Sequence, residues 1–334
     1  MSRSPPDSHR YTHQLPTASG IEVYMKTNVA ISSSHVKRER YGLVFGMCAA
    51  VIWGGYLAVT RQGIAAGLTA ADLSFLRYST AGLIMLPWLL RHNPLRLGGI
   101  GWGKGSALAL LAGPPFVLVG ASGFSYAPLA HSAVIQLGTL TLMGIALSVI
   151  MIGERTSKRR LAGVAIILTG LAVTAGPALL DGRSDAWKGD LLFATAGSMW
   201  ALFTVLQLRW RITPVTATAV VSVLSGLVYS LFYLSHYGLS NLMRADTSML
   251  IQQALVLGVL SGVVALFTFS RTVEYLGAAR ASLFPAFAPA IAILIGIPLT
   301  NEIPTLWQMS GLLILSAGLL LAIQAPKAGS PTPP

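Results

Sequence analysis

The residues best placed to do chemistry form an uncharged polar strip inside an apolar stretch. Ser132, Gln136, Thr139 and Met143 are spaced so that an α-helix brings them within about 60° of one another. A strip of this kind on an apolar helix faces protein or water, either as packing glue between helices or as the wall of a polar cavity. Comparable faces occur at Ala49, Trp53, Tyr56 and Thr60, at Trp200, Thr204 and Gln207, and at Ser261, Ala265 and Thr268. Aligned, they would enclose a cavity of aromatic faces and neutral hydrogen-bonding groups, which suits an amphipathic or zwitterionic solute better than a bare ion. His131 adjoins the strip, and its imidazole titrates in a range that suits proton exchange. It lies about 80° or more from the strip on an α-helix. It therefore reads either as a proton-coupling group at an outer gate or as a hydrogen-bonded interfacial histidine.

Charged side chains are scarce in the apolar stretches. The acids sit in tails, in loops or at the ends of apolar runs, so none stands as an obvious proton carrier at mid-membrane. Glu154 and Glu302 close two such runs; they read as structural, pairing with nearby basic groups, ahead of direct substrate contact. Arg77, about one turn into its run, is assigned a structural role: it can snorkel, tied to a neighbouring carbonyl or to phospholipid, and substrate binding is the other reading. Pro114-Pro115 interrupt a third run, and Pro285 and Pro289 sit four apart in a ninth. Each proline removes a backbone donor and frees a carbonyl upstream, which either binds substrate or marks a plain kink. The string Gly98 to Gly105 has phosphate-loop spacing, but Gly105 stands where Ser or Thr must hold magnesium, which argues against ATP. No paired acids, metal-ligand cluster or Ser/Lys or Ser/His pair shares a helix face in the runs, so neither an enzyme, a metal nor a cofactor is expected.

The elements that must position these residues follow from composition. Of 334 residues, 54% are hydrophobic and 10% charged, whereas soluble domains carry about 25% charge. Ten apolar runs occur, at about 41–60, 72–90, 105–123, 128–151, 160–180, 189–208, 215–237, 249–270, 280–299 and 303–323. Their lengths fit membrane-spanning helices, and a membrane barrel would alternate apolar with polar residues instead. The fold class is all-α integral membrane. Residues 1–40 read as a disordered cytoplasmic tail, within which Met25 is an alternative start, and residues 326–334 read as a second cytoplasmic tail. The lone Cys48 is expected as an apolar filler within the first run.

The net charge of +12 would suggest nucleic acid in a soluble protein. Here the basic residues sit in the breaks between runs, so no nucleic-acid partner is expected and the lipid bilayer is the partner instead. With the N-terminus inside, only Arg61, Arg183, Lys188 and Arg244 fall outside, and Arg77 lies within a run; every other Lys and Arg is inside. That asymmetry predicts both termini cytoplasmic in a multi-pass cytoplasmic-membrane protein. Five runs then precede Trp187 and five follow it, so the second half is inverted relative to the first. At one constant offset Glu154, Gly163, Gly170 and Leu171 fall on Glu302, Gly311, Gly318 and Leu319.

Trp53-Gly54, the stretch FLRYSTAGLIMLP that contains Arg77, the pair Gly153-Glu154, and the pattern from Gly189-Asp190 to Trp200-Ala201 together resemble EamA-type members of the drug/metabolite transporter superfamily. The resemblance covers nearly everything from Tyr41 to Ala325. It implies one repeat over 41–180 and a second over 188–325, arranged as ten transmembrane helices in two inverted five-helix repeats. It also implies a central cavity lined by spans 1, 3, 4, 6, 8 and 9, and export of amino acids or other small metabolites by alternating access. The substrate-binding set expected on this basis is Trp53, Tyr56, Ser132, Gln136, Thr139, Trp200, Gln207 and Thr268. A lipid-linked flippase of the same superfamily is the alternative, and whether the protein is a monomer or a homodimer stays open. The second half departs from the pattern: span 7 has no counterpart of Arg77, and Glu302 follows Thr300-Asn301 where the first half has Ile152-Gly153.

Overall fold

A computed structural model describes residues 18–153, 157–180, 185–276, 281 and 283–323, with side chains from Arg38 onward except at 177–180 and 323. The chain divides into two compact units, Met1–Tyr41 and Gly42–Pro334. Among the described residues every regular element is helical. The long helices are α1 (Ala18–Ala65), α2 (Ala70–Arg91), α3 (Trp102–Gly123), α4 (Leu129–Ile152) and α5 (Lys158–Leu180), followed by α6 (Ala186–Arg209), α7 (Pro214–His236), α8 (Thr247–Leu276), α9 (Phe284–Thr300) and α10 (Leu306–Ile323). The segment expected to be disordered as far as residue 40 is helical from Ala18. No proline follows Pro16 there, and no glycine stands between Gly20 and Gly42, so nothing breaks the backbone ladder.

By length and composition α1 to α8 can each cross a bilayer, and α9 and α10 are shorter apolar helices. Their outward faces carry Leu83, Leu110, Leu227, Leu294 and Leu313, all exposed. Such a surface is unfavourable in water, at roughly 25 cal/mol for each Å² of apolar area, and at no disadvantage against lipid tails. Cys48 is on this exposed surface and not inside the bundle as expected.

Local chemistry sets the helix ends. The Thr69 side chain accepts from the Asp72 backbone N–H, and the Asp72 carboxylate accepts from Thr69 N–H and O–H, so that α2 opens on a reciprocal capping box. At Gly113 α3 breaks, and it restarts with Pro114 in its first turn. The Ala112 carbonyl at this break accepts the Tyr78 hydroxyl at 2.6 Å, so the break is closed from α2. Pro285 and Pro289 do not kink the middle of a span. Pro285 opens a 3₁₀ turn over Phe284–Phe287 and Pro289 sits at the start of the α-helical part of α9. N–H groups there lack intrahelical acceptors anyway, so these prolines cost few hydrogen bonds.

Glycines set how the halves pack. Gly163 meets Ala322, Gly170 meets Leu315, Gly318 meets Ile167 and Gly311 meets Thr174, so numbers rise along α5 as they fall along α10. The two helices are antiparallel, and the contacts exchange under the same offset that relates Glu154 to Glu302. Helices α2 and α7 cross in the same manner. A Cβ on Gly82 would lie 2.8 Å from the Ser222 carbonyl oxygen, and one on Gly226 would lie 2.5 Å from that of Tyr78. Small residues at such crossings let backbones touch where no hydrophobic effect drives association. Two helices also widen into π-helix, α4 over Ser132–Gln136 and α8 over Ala254–Val264. Widenings of this kind are rare and concentrate at functional sites.

Candidate functional site

Arg77 occupies the middle of the first cluster. It is only 5% exposed, which excludes the snorkelling posture expected from the sequence. Its position on α2 turns it inward, where its Cζ lies 4.7 Å from the Tyr56 ring centre on α1 and 5.6 Å from that of Tyr78. Nη1 donates a long hydrogen bond, 3.4 Å, to Ser261 Oγ on the π-helical part of α8. Among the described residues its contacts are with hydroxyls and two aromatic faces. One turn before Tyr56, Trp53 is tilted against Phe269 of α8 with ring centres 5.3 Å apart. Residues from α1, α2 and α8 therefore converge here.

The second cluster lies between α4 and α6. His131 Nδ1 is 2.7 Å from Asp190 Oδ1, and both residues are buried. Asp190 Oδ2 has no hydrogen-bond partner among the described residues. Sequence reading placed this acid at an interfacial helix end; the structure keeps it near the end of α6 but covers it with α4. Ser132 and Gln136 are also buried, and Ser132 Oγ donates to Gln136 Oε1 at 3.4 Å. Gly197 of α6 closes on them: its missing Cβ would stand 2.4 Å from the Gln136 carbonyl oxygen and 3.2 Å from Thr139 Cβ. The strip on α4 thus faces α6.

The remaining expected residues scatter. Trp200 of α6 is sandwiched between Phe116 of α3 at 5.0 Å and Phe203 at 5.3 Å. Gln207 is half-buried about two turns beyond Trp200. Thr268 is buried and donates to the Val264 and Ala265 carbonyls of its own helix, so its hydroxyl serves the backbone. The ring and hydrogen-bond contacts hold Trp53, Gln136 and Trp200 in three different groups.

A third cluster knots one end of the bundle. Arg61, near the end of α1, donates to Glu302 Oε1 through Nε and forms an ion pair through Nη2, while Nη1 donates to the Phe124 carbonyl. Glu302 Oε2 accepts the Leu129 N–H at 2.9 Å. One carboxylate therefore joins the ends of α1, α4 and α9, beside an open hollow of about 480 Å³ that Arg61, Ile64 and Phe124 help to line. Its sequence counterpart Glu154 lies outside the described residues. Asp72 is another acid that sequence reading passed over: Tyr233 O–H donates to its Oδ1, and Asn241 Nδ2 and Thr69 donate to its Oδ2. It fastens α2 to α7 and to the short helix Ser240–Arg244.

A bundle of apolar helices, eight of them long enough to cross a bilayer, fits a multi-pass membrane protein. The chain belongs to the EamA-like transporter family, whose sequence profile matches residues 40–176 and again 187–324. It is 25% identical over 215 residues to the uncharacterized transporter YyaM of Bacillus subtilis (strain 168), covering 61% of this chain and 68% of that protein. A crystal structure of another protein, 18% identical, superposes over 84% of this chain and 96% of its own with a TM-score of 0.55, a likeness of fold.

Proposed function

We propose that the protein is a secondary transporter that exports small amphipathic solutes, amino acids or similar metabolites, across the cytoplasmic membrane. In this reading α1 to α10 are its ten spans, two inverted five-helix halves rock about the solute by alternating access, and both termini are cytoplasmic. One observation carries it: buried and half-buried polar and aromatic contacts join one half to the other. Trp53 meets Phe269, Arg77 meets Ser261, Phe116 meets Trp200 and His131 meets Asp190, and in every pair the first residue belongs to the first repeat and the second to the second. Secondary transporters built from inverted repeats bind their cargo at that boundary, near the midplane. His131, held against Asp190, is the coupling group of this scheme. The Arg61–Glu302 knot, on the side assigned to the exterior by the charge asymmetry, keeps the outer end shut.

Radiolabelled amino acids and nucleobases in proteoliposomes, with and without a pH gradient, test the reading. Trp53→Ala and Gln136→Ala should insert normally and lose transport. If both transport at the wild-type rate, these residues pack helices and the substrate set fails.

A further inference from the structure

Arg77 is a buried cation for which the described chain supplies no counter-charge. A guanidinium cannot shed its proton in a protein, and it carries five N–H donors. Around it stand only neutral groups: the rings and hydroxyls of Tyr56 and Tyr78, and the Ser261 hydroxyl at 3.4 Å. Five described carboxylates are occupied elsewhere, Asp190 by His131, Glu302 by Arg61, Glu274 by Arg271, Asp185 by Lys188 and Asp246 by Ser248, and Glu39 is engaged as well. Asp72, five residues earlier on the same helix, turns its carboxylate to Thr69, Tyr233 and Asn241. A buried charge whose partners are all neutral is costly in a membrane protein, and such residues mark ligand paths.

We infer that Arg77 binds the carboxylate of the transported solute. The planar fork of a guanidinium fits a carboxylate through two parallel N–H···O bonds, which a lysine could not reproduce. Tyr56 and Tyr78 flank the cation with aromatic faces and Ser261 presents a hydroxyl from the other repeat, so the anion would contact both halves of the transporter. Trp53 and Phe269, one helical turn from Tyr56, offer an aromatic wall to an apolar body. Among the described residues no unengaged acid stands nearby to receive an ammonium group. The solute class is therefore a small monocarboxylate with an apolar body, and an amino group adds nothing to recognition. The inference rests on the transporter reading for its function, but binding can be measured apart from flux.

Four probes share one body: 3-phenylpropionate, its amide, phenylalanine and phenethylamine. Thermal unfolding of the purified full-length protein in detergent reads binding, and flux into proteoliposomes reads transport. Phenylpropionate and phenylalanine should raise the wild-type Tm, and the amide and the amine should not. Arg77→Gln should abolish the response, and Arg77→Lys should weaken it at least tenfold. The ligand-free Arg77→Gln protein should melt no lower than wild type, because it has lost an unpaired buried charge. If Arg77 were only a structural tie, that variant would melt lower and keep its ligand response. A carboxylate that leaves the Tm unmoved, an amide or amine that shifts it equally, or an unaltered response in Arg77→Gln each overturns the inference. Carboxylate binding without flux of any probe would instead sink the transporter reading and leave the anion site standing. Flux of the amine that Trp53→Ala abolishes would sink the anion site alone.

Discussion

Glu302→Gln removes the charge from the carboxylate that joins the ends of α1, α4 and α9 while preserving its shape. In the intact protein Oε1 receives two donors from Arg61 and Oε2 receives the Leu129 N–H. The Arg61 and Glu302 side chains are 20% and 25% exposed, so the pair is neither screened like a surface bridge nor fully desolvated. Hydrogen bonds to charged groups contribute about 1.5–3 kcal/mol each, and the neutral amide keeps part of that. A net loss of about 1.5 kcal/mol is the reasonable scale, and each 1.4 kcal/mol is tenfold in a two-state ratio. If the knot holds this end shut, the open population rises roughly tenfold. Ala130 is buried and, with Glu302, lines a small crevice distinct from the hollow that Arg61 lines. In a Cys48→Ala background, Ala130→Cys should therefore react with an impermeant maleimide about ten times faster when Glu302→Gln is added. Arg61→Gln should act likewise, and combining the two should add little to either alone, because both remove one interaction. An unchanged labelling rate accompanied by a lower Tm would show that the knot is only structural and that the gate assignment is mistaken.

Gly226→Ala should lower stability by about 1–3 kcal/mol, because its Cβ would be driven into the Tyr78 carbonyl; thermal unfolding checks it, and a wild-type Tm would mean that α2 and α7 are not in backbone contact. His131→Gln and Asp190→Asn should both reduce stimulation of transport by an imposed pH gradient, since each breaks the same buried pair. Stimulation at the wild-type level in both would leave coupling to another group or to none. Topology is checked with Ser157→Cys in the Cys48→Ala background: an impermeant reagent should not reach it in intact cells, and labelling there would reverse the orientation.

Much of the architecture was legible without coordinates because it depends on local composition. An apolar run near 20 residues long has one good solution in lipid, a helix that satisfies its own backbone, and the described helices α1 to α10 fall where those runs lie. The antiparallel packing of α5 on α10 was implicit in glycines recurring at a constant offset, since the close approach needs the missing Cβ on both helices. The face of α4 was less readable. Its projection assumed 3.6 residues per turn, and the π-helical turn at Ser132–Gln136 changes the angles where the polar strip begins.

What the amino-acid sequence determined by itself was the membrane, the helices, the twofold repetition and a short list of polar residues inside apolar runs. Each of these follows from composition, periodicity or spacing within one segment. Tertiary structure alone decided which polar groups meet. Asp190 reaches His131 across 59 positions, Arg77 reaches Ser261 across 184, and Arg61 reaches Glu302 across 241. It also separated Thr268, whose hydroxyl is used by its own backbone, from Arg77, which is buried among neutral groups of the described residues. The physical reason is that the cost of a buried polar group depends on the atoms opposite it, and in this bundle those atoms lie on helices that the folded chain, and not its order, brings alongside.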